Sequence, residues 1–235
     1  MSPFRLCLLL ACTPAAPLLP AANAPAASGW TSLFDGRSIE SWVVKGGTAT
    51  FRVEGGVIVG TTGPAGGINT FLCTPREYGD FELELEAWTD AGMNSGVQIR
   101  SHVFTQDTRN PGSPNRVRIK GEVYGYQCEI ADNDKCTSGN FWDEARGMKW
   151  HDDLTKKPGA CAAFKPGGWN LYRIVAQGDR IRSWVNGVPC ADFRDATDAR
   201  GFIGLQVHRT RTEARHQVRF RAIRIRELAP QESVP

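Results

Sequence analysis

Residues 81–88 read Phe-Glu-Leu-Glu-Leu-Glu-Ala-Trp, and their strict alternation decides the fold. Side chains of an extended chain point to opposite faces in turn. Phe81, Leu83, Leu85 and Ala87 therefore share one face, and Glu82, Glu84 and Glu86 the other. Moving outward, WNLYRIVA (169–176), a Gly-Asp-Arg turn (178–180) and IRSWV (181–185) read as a hairpin. Asn186-Gly187, the strongest short hairpin signal, then leads into VPCADF (188–193). Near the end, VRFRAIRIREL (218–228) keeps Val218 and Phe220 in one register, then shifts to Ile223 and Ile225, as a β-bulge would require. Only 141–157 and the stretch around Ala196 offer short helical turns. Strand-length runs separated by closely spaced turn signals, with no amphipathic helix between them, predict an all-β, two-sheet antiparallel sandwich.

Composition narrows the class. The 235 residues fit one large β domain, and the hydrophobic (41%) and charged (23%) fractions exclude disordered and fibrous chains. A formal charge of +3, with no basic stripe interleaved with aromatics, gives no ground for a nucleic-acid partner. The arginines of RFRAIRIRE alternate with apolar residues, which reads as one solvated strand face. Residues 1–28 read as a signal peptide and tether: Arg5, an apolar stretch from Leu6 to Ala11, and a small-residue cleavage site at Ala22-Asn23-Ala24. A lipid anchor at Cys12, within Leu9-Leu10-Ala11-Cys12, is the alternative to simple export. Either route predicts a periplasmic or extracellular domain over 29–229, followed by a tail at 230–235. No transmembrane segment and no partner protein are indicated.

Five cysteines follow the leader: Cys73, Cys128, Cys136, Cys161 and Cys190. An oxidising compartment permits disulfides, and an odd count leaves at least one thiol free. Cys136 and Cys161 bracket a loop-like stretch and are the first pair to expect. Cys128, on the apolar face of its strand, reads as a buried thiol.

Three further segments alternate differently from 81–88. NSGVQIRS (94–101) puts Gln98 and Arg100 opposite Val97 and Ile99. GYQCEI (125–130) puts Gln127 and Glu129 opposite Tyr126, Cys128 and Ile130, and GLQVH (204–208) puts Gln206 and His208 opposite Leu205 and Val207. Each strand buries one face while the other carries long polar groups, so the three are expected to line one concave surface. Irregular stretches at about 101–121 and 131–168 follow two of these strands and are expected to wall it. Asn94 and Ser95 read as turn residues.

GWTSLFDGRSIESW (29–42), REYGDFELELEAW (76–88), NSGVQIRS, GYQCEI, the 169–193 stretch, and GFIGLQVH (201–208) with its closing strand together resemble the 3-keto-disaccharide hydrolase family over residues 29–228. The resemblance implies a jelly roll of the concanavalin A-like lectin/glucanase type. It also implies an exported hydrolase or lyase acting on sugars oxidised at C3. A C3 ketone acidifies the C2 proton, so a base can form an enediolate, the C1 substituent can leave by β-elimination, and water can add back. On that expectation Glu129 is the base, or the ligand of a divalent cation. Arg100 stabilises oxyanion charge, and His208 is proton donor or second base, its ordinary pKa of about 6.5 suiting both roles. Gln98, Gln127 and Gln206 bind hydroxyls and orient the charged groups, while Trp142, Glu144 and Arg146 (in FWDEARGMKW, 141–150) reach over the face to substrate.

Two rivals remain: a non-catalytic carbohydrate-binding module, with Trp142 and Trp150 stacking on sugar, and a two-carboxylate glycosidase pairing Glu129 with Glu144 or Asp132. Glu82, Glu84 and Glu86 imitate the period-two acids of laminarinase-type glucanases but read as a solvated strand face. Cys128 and Cys190 depart from the ordinary strand residues expected of the family.

Overall fold

The computed structural model describes residues 29–110, 112–131 and 135–229. The signal peptide, Cys12, Asp132 and the C-terminal tail lie outside the described residues. Apolar faces of two antiparallel sheets meet to form the core. The back sheet runs in the order β14 (Val188–Arg194), β13 (Arg180–Val185), β12 (Asn170–Gln177), β6 (Phe81–Thr89), β16 (Gln217–Glu227), β4 (Val57–Thr61), β3 (Thr50–Glu54). A short β1 (Thr31–Ser32) pairs onto β16. The front sheet runs β11 (Phe141–Glu144), β10 (Val123–Ala131), β7 (Asn94–Val103), β15 (Phe202–Val207), β5 (Thr70–Cys73), β2 (Val43–Gly46).

The alternation read at 81–88 holds. Phe81, Leu83, Leu85 and Ala87 are fully buried against Val97, Ile99, Tyr126, Cys128 and Leu205 of the front sheet. The bulge foreseen in the last strand lies between Arg221 and Arg224, with Ala222 at a positive φ of 51°. Buried side chains continue on either side of it as Val218, Phe220, Ile223 and Ile225.

Two readings of irregular regions are corrected. The 101–121 stretch holds a hairpin of its own, β8 (Thr108–Asn110) with β9 (Ser113–Arg118). The 141–157 stretch begins as the edge strand β11, and helical turns are confined to Leu154–Lys156 and Ala160–Ala162, with none at Ala196. Cys136 and Cys161 form the expected disulfide, tying the loop after β10 to the second of those turns. Cys73, Cys128 and Cys190 are buried free thiols. No helix among the described residues is long and apolar enough to cross a membrane.

Candidate active site

Since Val97, Cys128 and Leu205 face the core, Gln98, Gln127 and Gln206 must face outward from the front sheet. Register places them side by side: Gln127 opposite Gln98 between β10 and β7, and Gln98 opposite Gly204, two residues before Gln206, between β7 and β15. Gln98 Nε2 donates to Gln127 Oε1 (3.2 Å), and Gln206 Nε2 donates to the same oxygen (2.6 Å). With its oxygen doubly engaged, Gln127 turns its Nε2 to Glu129 Oε2 at 3.0 Å. Asn94 Nδ2 donates to the other carboxylate oxygen, Glu129 Oε1. Behind them Ser101 Oγ donates to Gln98 Oε1 (2.6 Å), fixing the orientation of the first amide. Gly96, directly opposite Glu129, leaves the room that Gln127 needs: a Cβ there would sit 2.6 Å from its Cγ.

Glu129 is therefore a carboxylate 6% exposed whose hydrogen-bond donors, Asn94 and Gln127, are neutral amides. Burial raises its pKa to about 7; Gln127 and Asn94 pull it down, and the nearby Glu144 pushes it up. Glu144, on the same face of β11, accepts from Asn69 Nδ2 (2.9 Å), and burial again raises its pKa, against Asn69 and Arg118. His208 sits just past β15. Its Nδ1 lies 2.7 Å from the carbonyl of Arg209, so Nδ1 carries the hydrogen and Nε2 keeps the lone pair. Burial lowers its pKa, so the ring is neutral at neutral pH. Glu129, Glu144 and His208 line one cavity of about 360 Å³ together with Asn94, Gln127, Lys135, Thr137, Trp142 and Trp150. That size falls within the usual range for small-molecule sites, about 300–1,000 Å³. The two indoles meet at 5.0 Å between ring centroids, tilted by 57°.

Four expected site residues lie elsewhere. Arg100 is turned inward by a bulge: pairing slips between Tyr124 and Tyr126 on one side and between Phe202 and Gly204 on the other, and Arg100 takes φ +45°. The parity that would put it beside Gln98 is broken there. Its guanidinium, 1% exposed, donates to the carbonyls of Gly79 (2.9 Å) and Gly178 (2.8 Å) and to Asp80 Oδ1 (2.9 Å). It is a clamp between the sheets, paired with Asp80 and not with Glu129. Arg146 bonds Asp143 (Nε to Oδ1, 2.9 Å) and Asp198 and packs over the ring of Tyr126, away from the cavity. Gln98 and Gln206 are fully buried and touch Gln127, so they position Glu129 and do not reach substrate.

Asn94 and Ser95, read as turn residues, begin strand β7 instead, and Asn94 lines the cavity, as do Lys135 and Thr137, which sequence reasoning passed over. For Asn94 the signal existed: it precedes Gln98 by four residues, so it shares that residue's strand face. Nothing in the sequence distinguished Lys135 and Thr137 from other loop residues. As for a divalent cation, no group of three or more His, Cys, Asp or Glu side chains among the described residues is placed to hold a metal ion. Each oxygen of Glu129 already accepts an amide hydrogen.

A jelly-roll sandwich with a polar, carboxylate-bearing cavity on one outer face defines the class. Within it, the chain belongs to the family of the 3-keto-alpha-glucoside-1,2-lyase-like domain, whose model matches residues 29–226. Membership places it among proteins acting on carbohydrates. No curated protein matches it in sequence. Solved structures share the fold at low identity. A provisionally assigned glycosyl hydrolase of Parabacteroides distasonis has TM-score 0.53 and 20% identity, over 86% of this chain and 95% of that one. The carbohydrate-binding module CBM66 of Bacillus subtilis has TM-score 0.51 and 15% identity, over 78% and 94%. The kappa-carrageenase of Pseudoalteromonas carrageenovora has TM-score 0.52 and 8% identity, over 89% and 98%.

Proposed function

We propose that the protein is an exported enzyme that cleaves 3-keto-glycosides by elimination across C1–C2. The observation that carries this reading is the state of Glu129: buried, held by two amide donors, and poised near pH 7 beside a neutral histidine. A base removing a proton next to a ketone works best when its pKa lies near the working pH, and proton transfer of this kind contributes about 10²–10⁴-fold to rate.

In the first step the Glu129 carboxylate takes the C2 proton, and the electron pair of that bond moves onto the C3 oxygen as an enediolate. The enediolate then collapses: C3=O re-forms, a C1=C2 double bond forms, and the C1–O bond breaks. Glu144, whose pKa burial raises, supplies the proton to the departing oxygen. For hydration, His208 Nε2 accepts a proton from water as the water oxygen adds at C1, and protonated Glu129 returns a proton to C2. Lys135, a cation on the cavity wall, takes over the charge-stabilising part expected of Arg100. The disulfide supports export, since such bonds persist in oxidising compartments.

The Trp142–Trp150 pair favours a second reading, a binding module that holds sugar without turnover. A two-carboxylate glycosidase fits less well. Burial raises the pKa of both Glu129 and Glu144, whereas a hydrolytic pair needs one carboxylate held firmly ionised.

One assay separates the three. Purified protein is given a 3-keto-glucoside and the matching unoxidised glucoside, and release of the leaving group is followed. Turnover of the keto form alone is expected. Turnover of the plain form points to a conventional glycosidase, and binding without turnover to a module. Deuterium uptake at C2 tests the proton-abstraction step separately.

A further inference from the structure

Every arginine in the strands of the back sheet pairs with a carboxylate except Arg182. Among the described residues its guanidinium makes no hydrogen bond or ion pair, and its Nε is buried without a partner. Asp192, directly across from it between β13 and β14, does not serve it. Both Asp192 oxygens are held by Arg180, at 2.9 and 2.7 Å. Buried polar atoms of native proteins are nearly always satisfied, so this exception calls for a partner from outside the chain.

Arg182 stands at a hollow of about 300 Å³, and a bulge opens it. Arg182 faces Asp192 and Trp184 faces Pro189, so β14 carries one more residue than β13 over that interval. Cys190 and Ala191 together therefore oppose the single Ser183, and these three buried residues form the floor. The floor has no hydrogen bonds to offer: Ser183 Oγ donates to the Gly139 carbonyl and accepts from the Ala191 N–H (3.0 Å). Trp184 and Pro189, with Pro158 from the loop, supply apolar walls. That loop is tied to the edge strand, since Asp152 Oδ2 accepts from both Lys157 Nζ and the Asp192 N–H (2.8 Å).

The neighbouring charges cancel in pairs. Lys157 is matched by Asp152 and Arg180 by Asp192, while Arg173, over the Trp184 ring at 4.4 Å, is matched by Glu82. Arg182, 5.6 Å from the centre of the same ring, leaves the hollow one net positive charge. A single unmatched guanidinium beside an apolar floor suits an organic monocarboxylate. The fork takes both carboxylate oxygens in parallel hydrogen bonds. A flat apolar ring then lies among the indole, the prolines and the polarisable Cys190 thiol.

We propose that the hollow at the β13–β14 bulge is a second ligand site, on the opposite sheet from Glu129, for a small carboxylate bearing one flat apolar ring. The proposal stands apart from the elimination reading and does not depend on it.

Phenylacetate is the probe, with phenylacetamide as its uncharged counterpart and acetate as the carboxylate without a ring. Isotope-labelled wild-type protein is titrated with each and followed by amide NMR, which both locates and measures binding. Phenylacetate should shift the amides of 182–192 saturably and bind about tenfold more tightly than either control. In Arg182→Gln the ratio of acid to amide affinity should fall to about one. An unchanged melting temperature shows that this variant keeps the fold, and the wild-type readouts need no variant at all. No saturable shift in 182–192, or an acid-to-amide ratio unaltered in Arg182→Gln, overturns the site. Phenylacetamide that binds wild type as tightly as phenylacetate overturns the carboxylate assignment. Acetate that binds as tightly overturns the apolar ring.

Discussion

The outer faces of the two sheets carry the same kinds of residues and do opposite things with them. On the back sheet every glutamate of the 81–88 run meets an arginine. Glu82 pairs with Arg173 (2.5 Å) and Arg226, Glu84 with Arg224 (2.5 Å) and Glu86 with Arg221 (2.7 Å). The arginines lie over indoles in turn, Arg221 over Trp169 and Arg224 over Trp30. Glu82 is as little exposed as Glu129 but lies less deep, and there its ion pairs outweigh burial and its pKa falls below the ordinary value. On the front sheet the donors to Glu129 are the amides of Gln127 and Asn94, burial wins, and its pKa rises to about 7. Burial alone does not make a carboxylate reactive. What separates the two faces is whether the neighbours bring a full positive charge or only dipoles.

The comparison is broken most directly at Glu129. Glu129→Gln should lower keto-glycoside turnover about 10³-fold and abolish C2 deuterium uptake. Near-normal rates would mean that the amide-held carboxylate is not the base. The same residue should leave a mark on stability. Its folded pKa lies above the ordinary carboxylate value of about 4.5, so the folded state holds the proton more tightly than the unfolded chain does. The stability this gives is fully present below about pH 4.5 and lost as pH rises through about 7. The full change is on the order of 3 kcal/mol. Denaturant melts of the wild type at pH 5 and pH 8 should show the decline, and Glu129→Gln should flatten it.

Arg100 gives the next largest effect and tests the corrected part of the site. Arg100→Met removes the buried partner of Asp80 and three backbone carbonyls, so it should cost about 3–5 kcal/mol of unfolding free energy. Below the melting transition, kcat for the folded enzyme should stay within about twofold of wild type. A large fall in kcat with stability unchanged would return Arg100 to the chemistry.

Arg100 also marks where sequence reading stops. Period-two reasoning placed the sandwich, the back-sheet alternation and the outward glutamines, because hydrophobic parity is a local property that burial enforces residue by residue. A bulge cancels parity in a single step, and the NSGVQIRS segment gives no warning of it. The bulged backbone packs against Gly201 so closely that an added Cβ there would lie 2.4 Å from the Arg100 carbonyl carbon. That contact joins positions 101 residues apart. Arg146 failed for a related reason: its partner Asp198 comes from a distant loop, and no pattern within FWDEARGMKW points to it. Lys135 and Thr137 are brought to the cavity by a loop and a disulfide, neither of which has a period. The amide relay was half legible, in that the three glutamines were expected to share a face. Which of them reaches the cavity depends on hydrogen-bond direction, which only neighbouring strands define.

A smaller perturbation sharpens the contrast between the faces without removing the carboxylate. Gln127→Leu deletes one of two donors that favour ionised Glu129, so its pKa should rise further. A hydrogen bond to a charged group is worth about 1.5–3 kcal/mol, or about one to two pH units, so the ascending limb of kcat/KM should move toward alkaline pH by about that much. A limb that stays at neutral pH would mean the amide does not govern the base.

The smallest effect belongs to the back sheet. Glu84→Gln breaks an ion pair whose arginine is half exposed, so solvent screening should hold the cost below about 1 kcal/mol, with no change in kcat or KM. Activity that falls with Glu84→Gln would mean the ladder of Glu82, Glu84 and Glu86 does chemistry, as its glucanase-like spacing imitates. The matched arginines argue otherwise. A carboxylate whose oxygen is already engaged by a guanidinium at 2.5 Å is poorly placed to attack a substrate, whatever its spacing along the strand.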